Sequence, residues 1–121
     1  MALIAVVDDE FLLADLLAGL LVVEGHEVMI APHGRVALQM IRERKPALVI
    51  TDFMMPLMTG LELAQALRAD ADLEDIPVIL VSGAQGASAR GNYEDLFAAI
   101  FDKPYDRKAM LKVVSDLLDT P

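Results

Sequence analysis

The sequence predicts an α/β protein with one parallel sheet in a single domain. Short β-rich apolar runs alternate with segments in which apolar residues recur at helical spacing, as in a series of βαβ units. The length of 121 residues is typical of one domain, and an apolar content of 55% is enough for a core. We therefore expect residues 1–121 to form one domain.

Five apolar runs are the predicted strands, and we expect them to lie parallel because helical segments separate them. They cover residues 3–7, 28–30, 48–51, 78–81 and 99–101.

Several helices are predicted from their apolar faces. The first should face the core with Leu13, Leu16, Leu17 and Leu20, and the last with Met110, Leu111, Val114, Leu117 and Leu118. Thr59 and Glu62 are spaced as a capping box, which predicts that the third helix begins there. Gly83, Gly86 and Gly91 precede the fourth, where we expect a mobile or shortened element.

Composition excludes several classes of function. A net charge of −9 argues against sequence-independent nucleic-acid binding, which needs clustered Lys or Arg facing phosphates. The chain has no cysteine, so disulfides and Cys-based metal or redox sites are excluded. Asp8 interrupts the first apolar run too early for a signal peptide or a membrane span. We expect a cytoplasmic chain that binds a protein or a cation, and neither nucleic acid nor membrane.

Polar residues follow four of the five predicted strands, at the point where each strand ends. They are Asp8 and Asp9, Asp52, Ser82, and Asp102 with Lys103. Because the carboxyl ends of parallel strands share one edge of the sheet, these groups should converge there. Open α/β sheets bind their ligands at that edge.

The chemistry of this set suits phosphoryl transfer. Carboxylates of Asp8, Asp9 and Asp52 held close together raise one another's pKa, and Mg²⁺ relieves that repulsion with oxygen ligands alone. Ser82 can donate to a phosphoryl oxygen, and Lys103 can pair with a carboxylate or a phosphoryl group. A carboxylate beside the metal can itself be the nucleophile. Taken singly each residue has a structural explanation, such as capping of the first helix by the two aspartates.

The chain resembles the response-regulator receiver domains of bacterial two-component signalling, over residues 3 to about 118. The resemblance rests on Asp8-Asp9, on Asp52 followed by Pro56 and Gly60, on Ser82, and on Lys103-Pro104. It implies a (βα)5 flavodoxin-like, doubly wound parallel sheet with strand order 2-1-3-4-5. It also implies a signalling protein that assists its own phosphorylation and dephosphorylation, and not an enzyme for other substrates.

The resemblance assigns the metal site and the phosphoacceptor. Asp52 would accept a phosphoryl group from a histidine kinase or a histidine phosphotransfer protein. Asp9, Asp52 and the backbone carbonyl of Met54 would ligate Mg²⁺ directly, and Asp8 would act through water.

Two further residues receive roles by resemblance. Ser82 would bind the phosphoryl group and couple it to a switch. Lys103 would pair with Asp52 and the phosphoryl oxygens, and its bond to Pro104 would be cis, an isomer that proline tolerates.

The sequence departs from the family pattern at the switch. The family usually has an aromatic residue where this chain has Ile100, and Phe101 is only its neighbour. We therefore expect phosphorylation to act by ordering a loose fourth helix. Met54 and Ala84 stand at the positions that flank the attacking water in this family, and neither can orient a water. This predicts slow hydrolysis of the aspartyl phosphate.

The first helix carries apolar residues beyond its predicted inner face. They are Leu12, Ala18, Gly19, Val22 and Val23. They either pack under loops as scattered surface residues or form a docking face for the helical bundle that presents phosphohistidine. The docking interpretation assigns contacts to Leu12, Leu13 and Pro104, whereas the downstream effector is not identified and a homodimer stays open.

Three alternatives belong to other classes. Aspartyl-phosphate phosphatases of the haloacid-dehalogenase type place a second acid two residues after the nucleophile, where this chain has Met54. A flavodoxin-like cofactor binder needs a Ser/Thr/Gly phosphate loop after the first strand, where this chain is acidic. A receiver-like module that binds proteins without taking phosphate is the third, and Ile100 at the switch position keeps it open.

Overall fold

The computed structural model of the chain describes residues 2–83 and 94–119. The strands are β1 Leu3–Val7, β2 Glu27–Ala31, β3 Leu48–Asp52, β4 Val78–Ser82 and β5 Ala99–Asp102. The helices are α1 Phe11–Val23, α2 Gly34–Glu43, α3 Gly60–Arg68 and α4 Arg107–Leu118, with a 3₁₀ turn at Glu94–Leu96. All five predicted strands are confirmed.

The strands form one parallel sheet in the order β2-β1-β3-β4-β5, as the resemblance implied. Val7 pairs with Thr51, Asp52 with Val81, and Ser82 with Asp102. The order reverses between β1 and β3, which opens a crevice at their carboxyl ends. The residues that follow β1, β3, β4 and β5 therefore share one edge of the sheet.

Helices cover both faces of the sheet, so the chain has two apolar layers. On one face α2 and α3 pack against the side chains of residues such as Val7, Val49 and Leu80. On the other face α1 and α4 pack against residues such as Val6 and Ile50. Alternate residues of each strand thus point to opposite layers, and each strand is fixed from both sides.

The predicted inner face of α1 is wrong. Leu17 is buried as expected, but Leu13 and Leu16 are exposed, Leu16 by 68%. The buried residues are Ala14, Leu17, Ala18 and Leu21. Because α1 is apolar almost all round, periodicity cannot select one face, and the small alanines allow the helix to lie close to the sheet.

Predictions for the other helices are confirmed where they can be compared. α3 begins with the capping box of Thr59 and Glu62, and its Leu63, Ala64 and Leu67 are fully buried. In α4, Met110 and Val114 are buried, and the other predicted residues pack beside them. The ring nitrogen Nδ1 of His33 caps α2 by accepting from the Val36 N–H at 3.4 Å, which the sequence did not suggest.

The predicted fourth helix covers residues 93–99 after a Gly-rich stretch, and residues 84–93 lie outside the described residues. The described part holds only the 3₁₀ turn at 94–96. Among the helices of residues 2–83 and 94–119, none is long and apolar enough to cross a membrane.

Candidate functional site

Three carboxylates meet at the carboxyl edge of the sheet. Asp8 and Asp9 follow β1, and Asp52 is the last residue of β3. Each offers an oxygen atom, and these oxygens lie within 4.8 Å of one another. Asp52 is buried, Asp8 is half-buried and Asp9 is exposed. The arrangement gives a divalent cation hard oxygen ligands on one side and access from solvent on the other.

The aspartates after β1 do not cap α1. The N-cap residue is Glu10, and it makes no side-chain capping bond. Instead the backbone N–H of Glu10 donates to Oδ1 of Asp8 at 2.9 Å, which orients this carboxylate at the sheet edge. Helix capping therefore does not explain why Asp8 and Asp9 follow β1. Glu10 lies at the exposed rim of the site.

Lys103 follows β5 and extends toward the carboxylates. Its Nζ lies 3.1 Å from Oδ1 of Asp52 and 4.0 Å from Oδ2 of Asp8. Its backbone N–H donates to the carbonyl of Ser82 at 2.8 Å, which holds the start of this segment on β4. The peptide bond from Lys103 to Pro104 is cis.

The protonation equilibria reflect the crowding of charge. Burial raises the pKa of Asp52 above its ordinary value, although Lys103 opposes the shift. Burial also raises the pKa of Asp8, with smaller contributions in the same direction from Asp52 and Asp9. Burial alone would lower the pKa of Lys103, but its hydrogen bond to Asp52 and the carboxylate charges raise it overall. The pKa values of the two acids are thus raised mainly by burial, and the pKa of Lys103 is raised by the carboxylates around it.

Ser82, the last residue of β4, places a hydroxyl beneath this edge. The residue is fully buried, and its Oγ has no hydrogen-bond partner within residues 2–83 and 94–119. β4 lies between β3 and β5, so Ser82 occupies the strand end between those of Asp52 and Lys103. A buried hydroxyl without a partner is suited to donate to an oxygen brought by a ligand.

The backbone of Asp52 is fixed from two sides. The hydroxyl of Thr51 donates to the carbonyl oxygen of Asp52 at 2.9 Å. Gly60, the first residue of α3, lies so close to the same oxygen that any Cβ there would overlap it. The Gly60 N–H also donates to the carbonyl of Phe53 at 2.8 Å. Gly60 was predicted as part of a motif, whereas the role of Thr51 was missed because its only signal is its place before Asp52.

Ile100, proposed for the switch, and its neighbour Phe101 lie on opposite faces of β5. Ile100 packs with the layer of α2 and α3. Phe101 packs with the layer of α1 and α4, where its ring meets that of Tyr105 edge to face at 6.1 Å. Phe101 therefore cannot substitute for an aromatic residue at position 100. Met54 lies at the start of the loop after Asp52 with 51% of its surface exposed.

A groove of about 490 Å³ separates α1 from the segment after β5 and reaches Asp52 and Lys103. Its apolar walls include Leu13 and Leu16 on one side and Pro104 on the other. Two of the three residues assigned to docking, Leu13 and Pro104, thus line one groove. Leu12 lies outside it and is 75% exposed.

Comparison with known sequences identifies the family. The family model described as "Response regulator receiver domain" matches residues 4–115. The phosphate regulon transcriptional regulatory protein PhoB of Pseudomonas aeruginosa is 37% identical over 79 residues, which cover 65% of this chain and 34% of that protein. The DNA-binding response regulator MtrA of Mycobacterium tuberculosis has the same identity over 65% of this chain and 33% of its own length. The matched region thus spans about a third of these relatives.

Solved structures agree. The receiver domain of NtrX from Brucella abortus superposes with a TM-score of 0.86 at 30% identity, covering 98% of this chain and 99% of that one. The chemotaxis protein CheY4 of Vibrio cholerae shares the fold, with a TM-score of 0.87 at 24% identity over 97% of this chain and 98% of that one. With the family match over residues 4–115, the chain belongs to the response-regulator receiver domains.

Proposed function

We propose that the chain is a phosphoacceptor of a two-component or phosphorelay system, with Asp52 as the phosphorylated residue. The observation that carries the proposal is the 3.1 Å contact of Lys103 with Asp52 beside two further carboxylates. Family membership gives the context, because receiver domains are the signalling modules of response regulators.

In the proposed reaction an oxygen of Asp52 attacks the phosphorus of a phosphohistidine. The new P–O bond forms as the P–N bond breaks, and the electron pair of that bond stays on the imidazole nitrogen. Lys103 neutralises charge on the phosphoryl oxygens, and the Ser82 hydroxyl donates to one of them. Asp52 is held for the attack through its backbone, by Thr51 and Gly60.

The carboxylate set fits Mg²⁺, since its oxygens lie within 4.8 Å of one another and remain open to solvent through Asp9. Asp9, Asp52 and the Met54 carbonyl would hold the ion directly, and Asp8 would act through water. When bound, the ion neutralises the carboxylates and the charge of the phosphoryl group. An ion at this position would also explain why three acidic residues lie together at the carboxyl edge of the sheet.

We assign the donor side to a histidine kinase or a histidine phosphotransfer protein that docks on α1. Exposed apolar residues, Leu12 and Leu16 among them, cover the outside of this helix, and the groove beside it is also apolar. Such a surface fits helices of a partner with apolar contact residues. Because the groove reaches Asp52, a partner on α1 would bring its histidine to the phosphoacceptor.

The downstream partner is proposed only as a class. The names of the curated relatives describe a transcriptional regulator and a DNA-binding response regulator, so the expectation of no nucleic-acid partner has no support from them. Those proteins are about three times as long as the matched region. We propose that phosphorylation changes the binding of a downstream effector, in the same chain or in another, and that the domain acts in the cytoplasm. A homodimer is one form that this output can take.

The test is labelling with phosphoramidate, a small donor that needs no docking surface, followed by intact-protein mass spectrometry. We expect a single phosphoryl adduct in wild type with Mg²⁺, and loss of the adduct with EDTA or in Asp52→Asn. Asp72→Asn, at an exposed aspartate in the turn after α3, is the control and should be labelled normally. Equal labelling of Asp52→Asn would place the phosphoryl group on another residue. No labelling of wild type would favour a receiver-like module that binds proteins without taking phosphate.

A further inference from the structure

Arg68, the last residue of α3, holds three backbone carbonyls at once. Its Nη1 donates to the carbonyls of Glu74 at 2.9 Å and Ile76 at 3.0 Å, and its Nη2 donates to that of Leu96 at 3.1 Å. The first two carbonyls belong to the segment before β4, and the third to the turn before β5. Bonds from a guanidinium are charge-assisted and directional, so Arg68 joins three segments with defined geometry.

Together with α3 and β5, these contacts form a closed path of chain segments and hydrogen bonds that passes through Asp52. α3 begins at Gly60, against the carbonyl of Asp52, and ends at Arg68. Leu96 leads into β5, which ends directly before Lys103. The chain that runs from Asp52 through α3 and the chain that runs back from Lys103 through β5 therefore meet again at Arg68.

β5 depends on such an anchor more than the central strands do. Within residues 2–83 and 94–119 it is the shortest strand, lies at one edge of the sheet and pairs with β4 alone. Its residues are half-buried or exposed, whereas β3 and β4 are buried throughout. Before it, Phe97 is buried and the Ala98 N–H donates to the Val78 carbonyl at 2.8 Å. Arg68 adds a fixed connection from this end of β5 to the rigid helix α3.

We propose that Arg68 is a positioning residue for phosphoryl binding, because it fixes β5 to α3 and so holds the Lys103 ammonium against Asp52. The inference rests on the proposed function. It extends that function to a residue beside the amino ends of β4 and β5, at the other end of the strands from Asp52. Arg68 acts through β5 and contacts neither the phosphoryl group nor the metal.

The experiment compares Arg68→Met with Arg42→Met by titration with beryllium trifluoride, a phosphoryl mimic, in saturating Mg²⁺. Methionine keeps much of the apolar stem of arginine and removes every donor. Arg42, on α2, is the matched control, since among the described residues its side chain makes an ion pair with Asp70 at 3.6 Å and no other polar contact. We expect the Kd for the mimic to rise about threefold or more in Arg68→Met and to stay at the wild-type value in Arg42→Met.

Hydrogen exchange of the β5 amides is the second readout, measured without the mimic. We expect faster exchange at residues 99–102 in Arg68→Met, with unchanged exchange in β1. Arg68→Lys keeps one charged donor group and should recover part of the lost affinity. If Arg68→Met does not fold, Arg68→Lys carries the test, with a smaller rise in Kd expected.

Two outcomes decide between the proposals. A lower melting temperature of the Arg68 variant with an unchanged Kd and unchanged exchange in β5 would mean a purely structural role and overturn the inference. Failure of wild type and Arg42→Met to bind the mimic would overturn the proposed function, and the inference with it.

Discussion

The ammonium nitrogen of Lys103 lies 3.1 Å from Oδ1 of Asp52, across the end of the strand that separates them. That intervening strand, β4, ends in the buried hydroxyl of Ser82. A phosphoryl group on Asp52 would therefore meet a cation and a donor from two different strands. This geometry links the chemistry of Asp52 to the positions of β4 and β5.

Asp8→Asn should make the metal-free protein more stable at neutral pH. Because burial raises the pKa of Asp8 in the folded state, the folded protein binds its proton more tightly than the unfolded chain does. The free energy of unfolding should therefore decrease as pH rises from the ordinary value of 3.8 through the raised pKa. Asparagine cannot ionise and still accepts from Glu10, so the decrease should be smaller. Urea denaturation in EDTA at several pH values measures the free energy of unfolding of both proteins. Equal pH profiles would contradict a contribution from Asp8.

Mg²⁺ should stabilise wild type and not Asp9→Asn. A ligand at about ten times its Kd adds ~1.4 kcal/mol to the free energy of unfolding, since it binds only the folded state. Removing Asp9 takes away the exposed one of the three carboxylates. Thermal unfolding with Mg²⁺ and with EDTA measures the difference, and Asp72→Asn is again the control. A Mg²⁺ effect of the same size in Asp9→Asn would place the ion elsewhere.

Loss of the phosphoryl group should be slow in wild type and faster in Met54→Asn. The thioether of Met54 cannot orient a water for attack, whereas an amide can, and such positioning changes rates by about tenfold or more. The side chain is exposed, so the substitution should not disturb the core. Decay of the purified phosphoprotein measures the rate. Leu57→Asn, in the same exposed loop, is the control, and equal decay in both variants would exclude the effect.

Leu12→Glu should weaken transfer from the cognate kinase and leave labelling by phosphoramidate intact. A glutamate in the docking surface must be desolvated against apolar partner residues, and a contact worth ~1 kcal/mol corresponds to about a fivefold loss in kcat/KM. Gln39→Glu, the control, adds the same negative charge at an exposed position of α2, on the other face of the sheet. If both variants lose transfer equally, general charge repulsion and not docking through Leu12 is responsible.

The strands and the site edge were predictable because their signals are local. Each strand is a short β-rich run, and polar residues follow four of the five where they leave the core. Once the runs are parallel, the approach of Asp8, Asp9 and Asp52 follows from topology alone. The capping box of Thr59 and Glu62 is equally local, and it gave the start of α3 correctly.

The predictions that were wrong or missing concern features that depend on tertiary packing. The inner face of α1 was assigned to the larger leucines, but close approach to the sheet selected Ala14 and Ala18. Arg68 has no sequence signal, because its partners are backbone carbonyls as far away as Leu96. The cap by His33 was missed because histidine is not among the usual N-cap residues.

The hydroxyl of Ser82 also bears on the energy of the resting state. A buried polar group without a partner costs about 1–3 kcal/mol, and Ser82 Oγ has none among the described residues. A ligand that supplies an acceptor recovers that free energy when it binds. Under the proposed function, part of the driving force for phosphoryl binding is therefore already present in the unmodified domain, in one buried hydroxyl at the end of β4.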